Sequence, residues 1–153
     1  MRMKQDQPIV LASSGGFIHN VLGSPYRFLM TSADTGGAFA LLEVTAPPQS
    51  AVPLHVHTRE DETFFILDGT IEAECGGCEL TLHRNETARL PRNVPHSYRN
   101  PDDSPARYLV LITPGGFEKC LEEFARLPAD RPPAAEALVA IGKKYGLEFP
   151  KPE

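Results

Sequence analysis

Between residues 26 and 113 the chain never sustains an apolar run for long before a Gly, Pro, Asn or Asp interrupts it. The runs are YRFLMTS, GAFALLEVTA, PLHVH, ETFFILDG, TIEAEC, CELTLH, TARLP, PHSYRN and ARYLVLITP, each of a length that suits a strand better than a core helix. Thr70, Glu72 and Glu74 oppose Ile71, Ala73 and Cys75, and Glu79 and Thr81 oppose Leu80 and Leu82. Alternation of period two is the mark of a strand with one face buried. With 12 Gly and 15 Pro in 153 residues, more than one residue in six is punctuation. Nine short strands joined by tight turns overfill a flat open sheet, so an all-β domain, closed or doubled into two layers, is expected.

The pattern changes after Pro114. GGFEKCLEEFARL places Phe117, Cys120, Leu121, Phe124 and Leu127 at the three-and-four spacing of an amphipathic helix. PPAAEALVAIGKKYG puts prolines at a helix start, lysines in its last turn and Gly146 just beyond. The chain divides into an arm over 1–24, a β-domain over 25–113 and a two-helix appendage over 114–153 that covers one side of it.

A net charge of −5 with no Lys/Arg cluster longer than two gives no footprint for nucleic acid, and the segments flanking the β-domain carry no basic helix-turn-helix. No apolar stretch approaches a membrane span, and the N-terminal apolar run is too short for a signal peptide, so a cytoplasmic location is expected. Three cysteines make no disulfide framework, in keeping with a reducing compartment. Cys75 and Cys78 flank Gly76-Gly77, a two-residue turn signal, and are expected to face each other across a hairpin, as small strand residues or as a reversible redox pair.

Chemistry concentrates in PLHVHTREDETFFILDG. His55 and His57 share a strand parity and therefore a face. Glu62 opens the next strand, with Phe64 and Ile66 on its face, and His96 begins another strand 34 residues beyond Glu62. A His-x-His pair alone suits a solvated surface strand. Three imidazoles and one carboxylate, each near a strand end, form a mixed N/O set suited to a first-row divalent metal. His19, in the Gly-rich arm, and His83, in a turn beside Arg84, are expected to be ordinary polar residues.

These residues resemble the two motifs of the cupin superfamily. His55, His57, Glu62 and Gly69 fit the first motif, and Pro91, Asn93, His96 and Asn100 fit the second. Asn85 and Asn93 stand where the second motif carries glycine, and Asn is the next best residue for a turn with φ > 0. Gln49 replaces the early glycine of the first motif, in a loop where the exchange is expected to matter less. The resemblance implies a double-stranded β-helix (jelly-roll) barrel holding one divalent transition metal (Fe, Mn, Ni, Cu or Zn) on His55, His57, Glu62 and His96. Glu62 is then the one inward carboxylate of TREDE, while Arg59, Glu60 and Asp61 are expected in solvent.

HVHTREDETFFILDGTIEAECGG, LPRNVPHSYRN and RYLVLITPGGFE are similar to small single-domain cupins of the quercetin 2,3-dioxygenase-like group. That likeness implies a metal-dependent dioxygenase acting on a small aromatic or enol-type, flavonol-like substrate. Glu62 would serve as ligand and as base for the substrate hydroxyl, Phe64 and Ile66 as dry cavity wall, and Tyr98 as a lining or orienting residue. A non-oxidative metal-dependent isomerase or lyase, or a non-enzymatic binding cupin, keeps the same fold. The resemblance also implies a homodimer, with the IVL segment at residues 9–11 a candidate for exchange between subunits.

Overall fold

The computed structural model describes residues 7–151. The first six residues of the arm lie outside this range. The chain forms β1 (Phe17–Val21), β2 (Ser24–Met30), α1 (Ser32–Thr35), β3 (Ala40–Ala46), β4 (Ala51–His57), β5 (Asp61–Asp68) and β6 (Ile71–Cys75). It continues through β7 (Cys78–Leu82), β8 (Thr87–Leu90), β9 (His96–Arg99), β10 (Ala106–Thr113), α2 (Glu118–Ala125), α3 (Ala135–Lys144) and β11 (Leu147–Glu148). All nine strands expected from the sequence are present, and β1 and β11 were not foreseen.

The strands form two sheets, ordered β1-β2-β3-β10-β5-β8 and β11-β4-β9-β6-β7. This is a jelly-roll sandwich with helices after its last long strand. Alternation fixes which side chains turn inward. Ala40, Leu42, Val44 and Ala46 of β3 are buried, as are Ala106, Tyr108, Val110 and Ile112 of β10. Phe28, Phe64, Ile66 and Ile71 complete the centre of the core. Among the described residues no helix is long and apolar enough to cross a membrane.

Turn chemistry follows the sequence closely. Asn85 and Asn93 have φ of 69° and 64°, the left-handed conformation their replacement of glycine requires. Gly69 is held more tightly: at φ 79° a Cβ there would come within 2.9 Å of the Ala106 side chain. Cys75 and Cys78 are register partners across the β6–β7 hairpin, and both are free thiols.

Gln49 departs from expectation. It too is left-handed, at φ 57°, so the exchange of glycine for Gln does carry a conformational cost. Three bonds hold it there: its N–H donates to Asp102 O at 3.1 Å, and Nε2 donates to Pro101 O at 2.9 Å and Asp103 Oδ1 at 3.0 Å.

The C-terminal segment is more than an appendage. On α2, Cys120, Leu121 and Phe124 are buried on one face, as the spacing predicted, and Glu118 is buried with them. The Glu118 carboxylate accepts backbone N–H groups from Ser32 and Gly116, both at 2.6 Å. After α3 the chain turns at Gly146 and adds β11 to the edge of the smaller sheet, where Leu147 pairs with His57. β1 and the start of β2 likewise make part of the supposed arm a sheet edge, with β1 paired to β2.

Candidate metal centre

The smaller sheet contributes His55 and His57 from β4 and His96 from β9, where His55 and His96 are direct ladder partners. Glu62 comes from β5 of the larger sheet. The chain passes between the sheets through Thr58–Glu60, a turn pinned by Asn93 N–H donating to His57 O at 2.8 Å. The four side chains are buried, and one ligand atom from each lies within 4.8 Å of all the others.

Glu62 Oε2 sits 3.5 Å from His57 Nε2 and 3.4 Å from His96 Nε2, too long for good hydrogen bonds. Glu62 Oε2 and His96 Nε2 are buried without a hydrogen-bond partner. Orphaned donor atoms converging in a dry site are what a first-row divalent ion satisfies, so these residues fit one. His57 and His96 rings are near-parallel with centroids 5.5 Å apart, and Phe117 stands edge-on to His57 at 4.4 Å.

The electrostatics are those of one negative charge among imidazoles. Burial alone would raise the affinity of Glu62 for a proton, but His57, His96 and His55 overcome it and bring its pKa down to about 2. Burial lowers His55 to about 4 and also lowers His57. His96 is raised, because its contact with Glu62 outweighs burial. Neutral imidazoles and an ionised carboxylate are the ligand forms a metal takes.

Three of the four cluster residues, His55, His57 and Glu62, line a cavity of about 180 Å³. Its wall includes Tyr26, Leu42, Tyr98, Val110 and Ile112 from the barrel and Phe117, Leu121, Phe124, Leu138, Leu147 and Phe149 from the C-terminal segment. Tyr98 is among the lining residues. Phe64 and Ile66 are not: they are fully buried in the core, where the Phe64 ring meets Tyr98 edge-on and Tyr108 at a tilt. Strand parity gave their face correctly but not their depth. A wider surface groove of about 650 Å³, along Glu72, Glu74, Glu79 and Arg99, contains none of the four cluster residues.

Glu60 also departs from expectation. Arg59 is exposed and Asp61 half-buried, but Glu60 is only 5% exposed. Burial pushes its pKa up to about 7 against the pull of Arg59 and Arg92. The available signal was its spacing, three residues after His57 in a turn that must re-enter the barrel. His19 lies on β1 with its ring edge-on to Phe17 and Phe28, and His83 is an exposed turn residue; neither joins the cluster.

Residues 42–112 match the Cupin domain family. The chain is 31% identical over 97 residues to the quercetin 2,3-dioxygenase of Bacillus subtilis, a match covering 63% of this chain and 28% of that protein. It therefore spans under a third of the curated quercetin dioxygenases it resembles. The tetracenomycin polyketide synthase protein TcmJ of Streptomyces glaucescens is 26% identical over 114 residues, covering 74% of this chain and 76% of TcmJ. The solved structure of KdgF from Halomonas sp. superposes with a TM-score of 0.65 over 74% of this chain and 99% of that one, and at 14% identity it speaks for the fold alone. The chain thus carries a Cupin domain over residues 42–112 and is similar in sequence to the quercetin 2,3-dioxygenases.

Proposed function

We propose that the chain is a metal-dependent dioxygenase acting on a small aromatic or enol-type molecule, with His55, His57, Glu62 and His96 holding one divalent transition ion. The observation that carries this reading is the convergence of four buried ligand groups, three of which, His55, His57 and Glu62, line a largely apolar cavity. Similarity to quercetin dioxygenases and to a polyketide synthase protein supports it. An ion held this way supplies Lewis acidity and, if it is Fe, Mn, Ni or Cu, redox chemistry toward O₂.

The chain's own residues do the rest. The apolar wall excludes water and strengthens every polar contact inside it. Glu62 is ionised, so its Oε2 is available to accept the proton of a substrate hydroxyl. Its low proton affinity makes it a weak base, which suits an acidic phenol or enol better than an alkyl alcohol. Tyr26 and Tyr98 line the wall, with their hydroxyls engaged with each other and with Tyr108. Among the described residues no lysine or arginine lines this cavity, which disfavours phosphorylated and sugar-nucleotide substrates. At about 180 Å³ the cavity is smaller than the ~300–1,000 Å³ common for ligand sites, which favours compact members of the class.

The test is elemental analysis of untagged protein beside His96→Ala, followed by O₂-uptake assays with catechols and flavonols. About one equivalent of Fe, Mn, Ni or Cu, lost in the variant, and O₂ consumption with a substrate are the expected results. Zinc with no O₂ uptake would replace the oxygenase by a non-oxidative isomerase or lyase. Failure to take up any of these ions would leave a binding module.

The proposal includes a cytoplasmic homodimer. Edge strand β1 exposes Phe17 and Ile18 at 46% and 66%, and Val10 in the preceding segment is 88% exposed, so a second copy has an apolar edge to cover. Light scattering at micromolar concentration should give twice the 16.8 kDa chain mass; a monomer mass overturns it.

A further inference from the structure

Each histidine of the cluster must keep its proton on the ring nitrogen that faces away, so that the other nitrogen offers a lone pair. For two of the three, the backbone enforces this. His55 Nδ1 lies 2.7 Å from Pro53 O, and His96 Nδ1 lies 3.1 Å from Val94 O. A carbonyl oxygen only accepts, so in both rings Nδ1 carries the hydrogen and Nε2 is left for the centre.

His57 has no such carbonyl. Its Nδ1 is buried without a hydrogen-bond partner. The nearby polar atom is Glu60 Oε2, 3.9 Å away, itself buried and unpartnered. The two side chains are 3% and 6% exposed, so water does not serve either of them freely. Phe117 packs edge-on with the same ring. An imidazole N–H and a carboxylate oxygen, both orphaned and turned toward each other in a dry site, need only a small side-chain rotation to satisfy one another.

We propose that Glu60 is the positioning residue for His57, accepting its Nδ1–H and thereby holding the Nε2 lone pair toward Glu62 and His96. The proposal rests on the cluster being a metal site. It gives one ligand a side-chain partner where the other two have backbone partners. A carboxylate behind an imidazole raises its donor strength more than a carbonyl does, so His57 is the ligand through which a single substitution can tune the centre.

The experiment uses the full chain stripped of metal, as wild type, Glu60→Ala, Glu60→Gln and His96→Ala. Zn²⁺ affinity is measured by calorimetry, and the ring tautomers are read by ¹⁵N NMR of labelled histidine. The expected result is Zn²⁺ affinity lower by about 10–100-fold in Glu60→Ala. A smaller loss is expected in Glu60→Gln, whose amide oxygen still accepts, together with an His57 tautomer that is single in wild type and mixed in Glu60→Ala. If Glu60→Ala fails to fold, Glu60→Gln decides on the same two readings. Unchanged affinity and an unchanged His57 tautomer overturn the proposal. If wild type binds no Zn²⁺, the metal reading fails, and the tautomer comparison on the metal-free proteins still decides the role of Glu60.

Discussion

At the cluster four polar residues are set by strand ladders, with His55 opposite His96 and Glu62 opposite Ile112 in register. At the outer end apolar side chains arrive from α2, α3 and the residues around β11, held by a two-residue strand and a few hooks. Thr58 N–H and Oγ1 both donate to Gly146 O at 2.9 Å, and Arg59 donates to Lys144 O at 3.1 Å. Ladder geometry is cooperative and local to the barrel, whereas the outer wall depends on a few contacts between distant parts of the chain. The two ends are thus built differently, although the C-terminal segment reaches the inner one where Phe117 and Leu147 meet His57.

The strongest way to break this comparison is Phe124→Ala. Removing a buried ring from the outer wall should cost about 3–5 kcal/mol in urea unfolding. Zn²⁺ affinity should stay within about threefold of wild type; a loss as large as that of Glu60→Ala, about 10-fold or more, would mean the ends are not separable. Gly146→Ala acts on the latch itself. At φ 72° its new Cβ would come within 2.5 Å of Thr58 Oγ1, so a loss of about 1–3 kcal/mol is expected. Faster trypsin cleavage at Lys143 or Lys144 would show that the strain is spent on releasing the outer wall.

The smallest effect sharpens the inner side. Asp61 accepts from Arg92 N–H at 2.8 Å and pairs with the Arg92 and Arg89 side chains, and its pKa falls from 3.8 to about 2. A depressed carboxylate stabilises the fold above its unfolded pKa and loses that contribution as pH drops from about 4 to about 2. Because both arginines are largely exposed, screening limits the contribution to about 1 kcal/mol. Asp61→Asn should flatten acid unfolding in that window and leave the curve at pH 7 lower by the same small amount.

Much of this was legible because periodicity and spacing are local. The nine strands, the buried face of α2 and the inward parity of His55, His57 and Glu62 all follow from alternation and turn residues. What escaped depends on long-range placement. Two residues, Leu147 and Glu148, carry no strand signal of their own; they pair because the turn at Gly146 lays them against β4. Glu60 reads as one more solvated charge in TREDE until the fold buries it beside His57. Phe64 and Ile66 share the parity of Glu62, but Tyr98 and Tyr108 pack over Phe64.

Because three of the four central groups hang from one sheet and the fourth from the other, their spacing works as a gauge of the gap between the sheets. A close-packed interior passes small displacements along instead of absorbing them. Volume changes at Leu42, Tyr108 or Ile112, none of which belongs to the four, would move Glu62 relative to its histidines and retune the centre from a distance. Sequence drift in this core is thus a route to an altered centre that leaves all four of its residues unchanged.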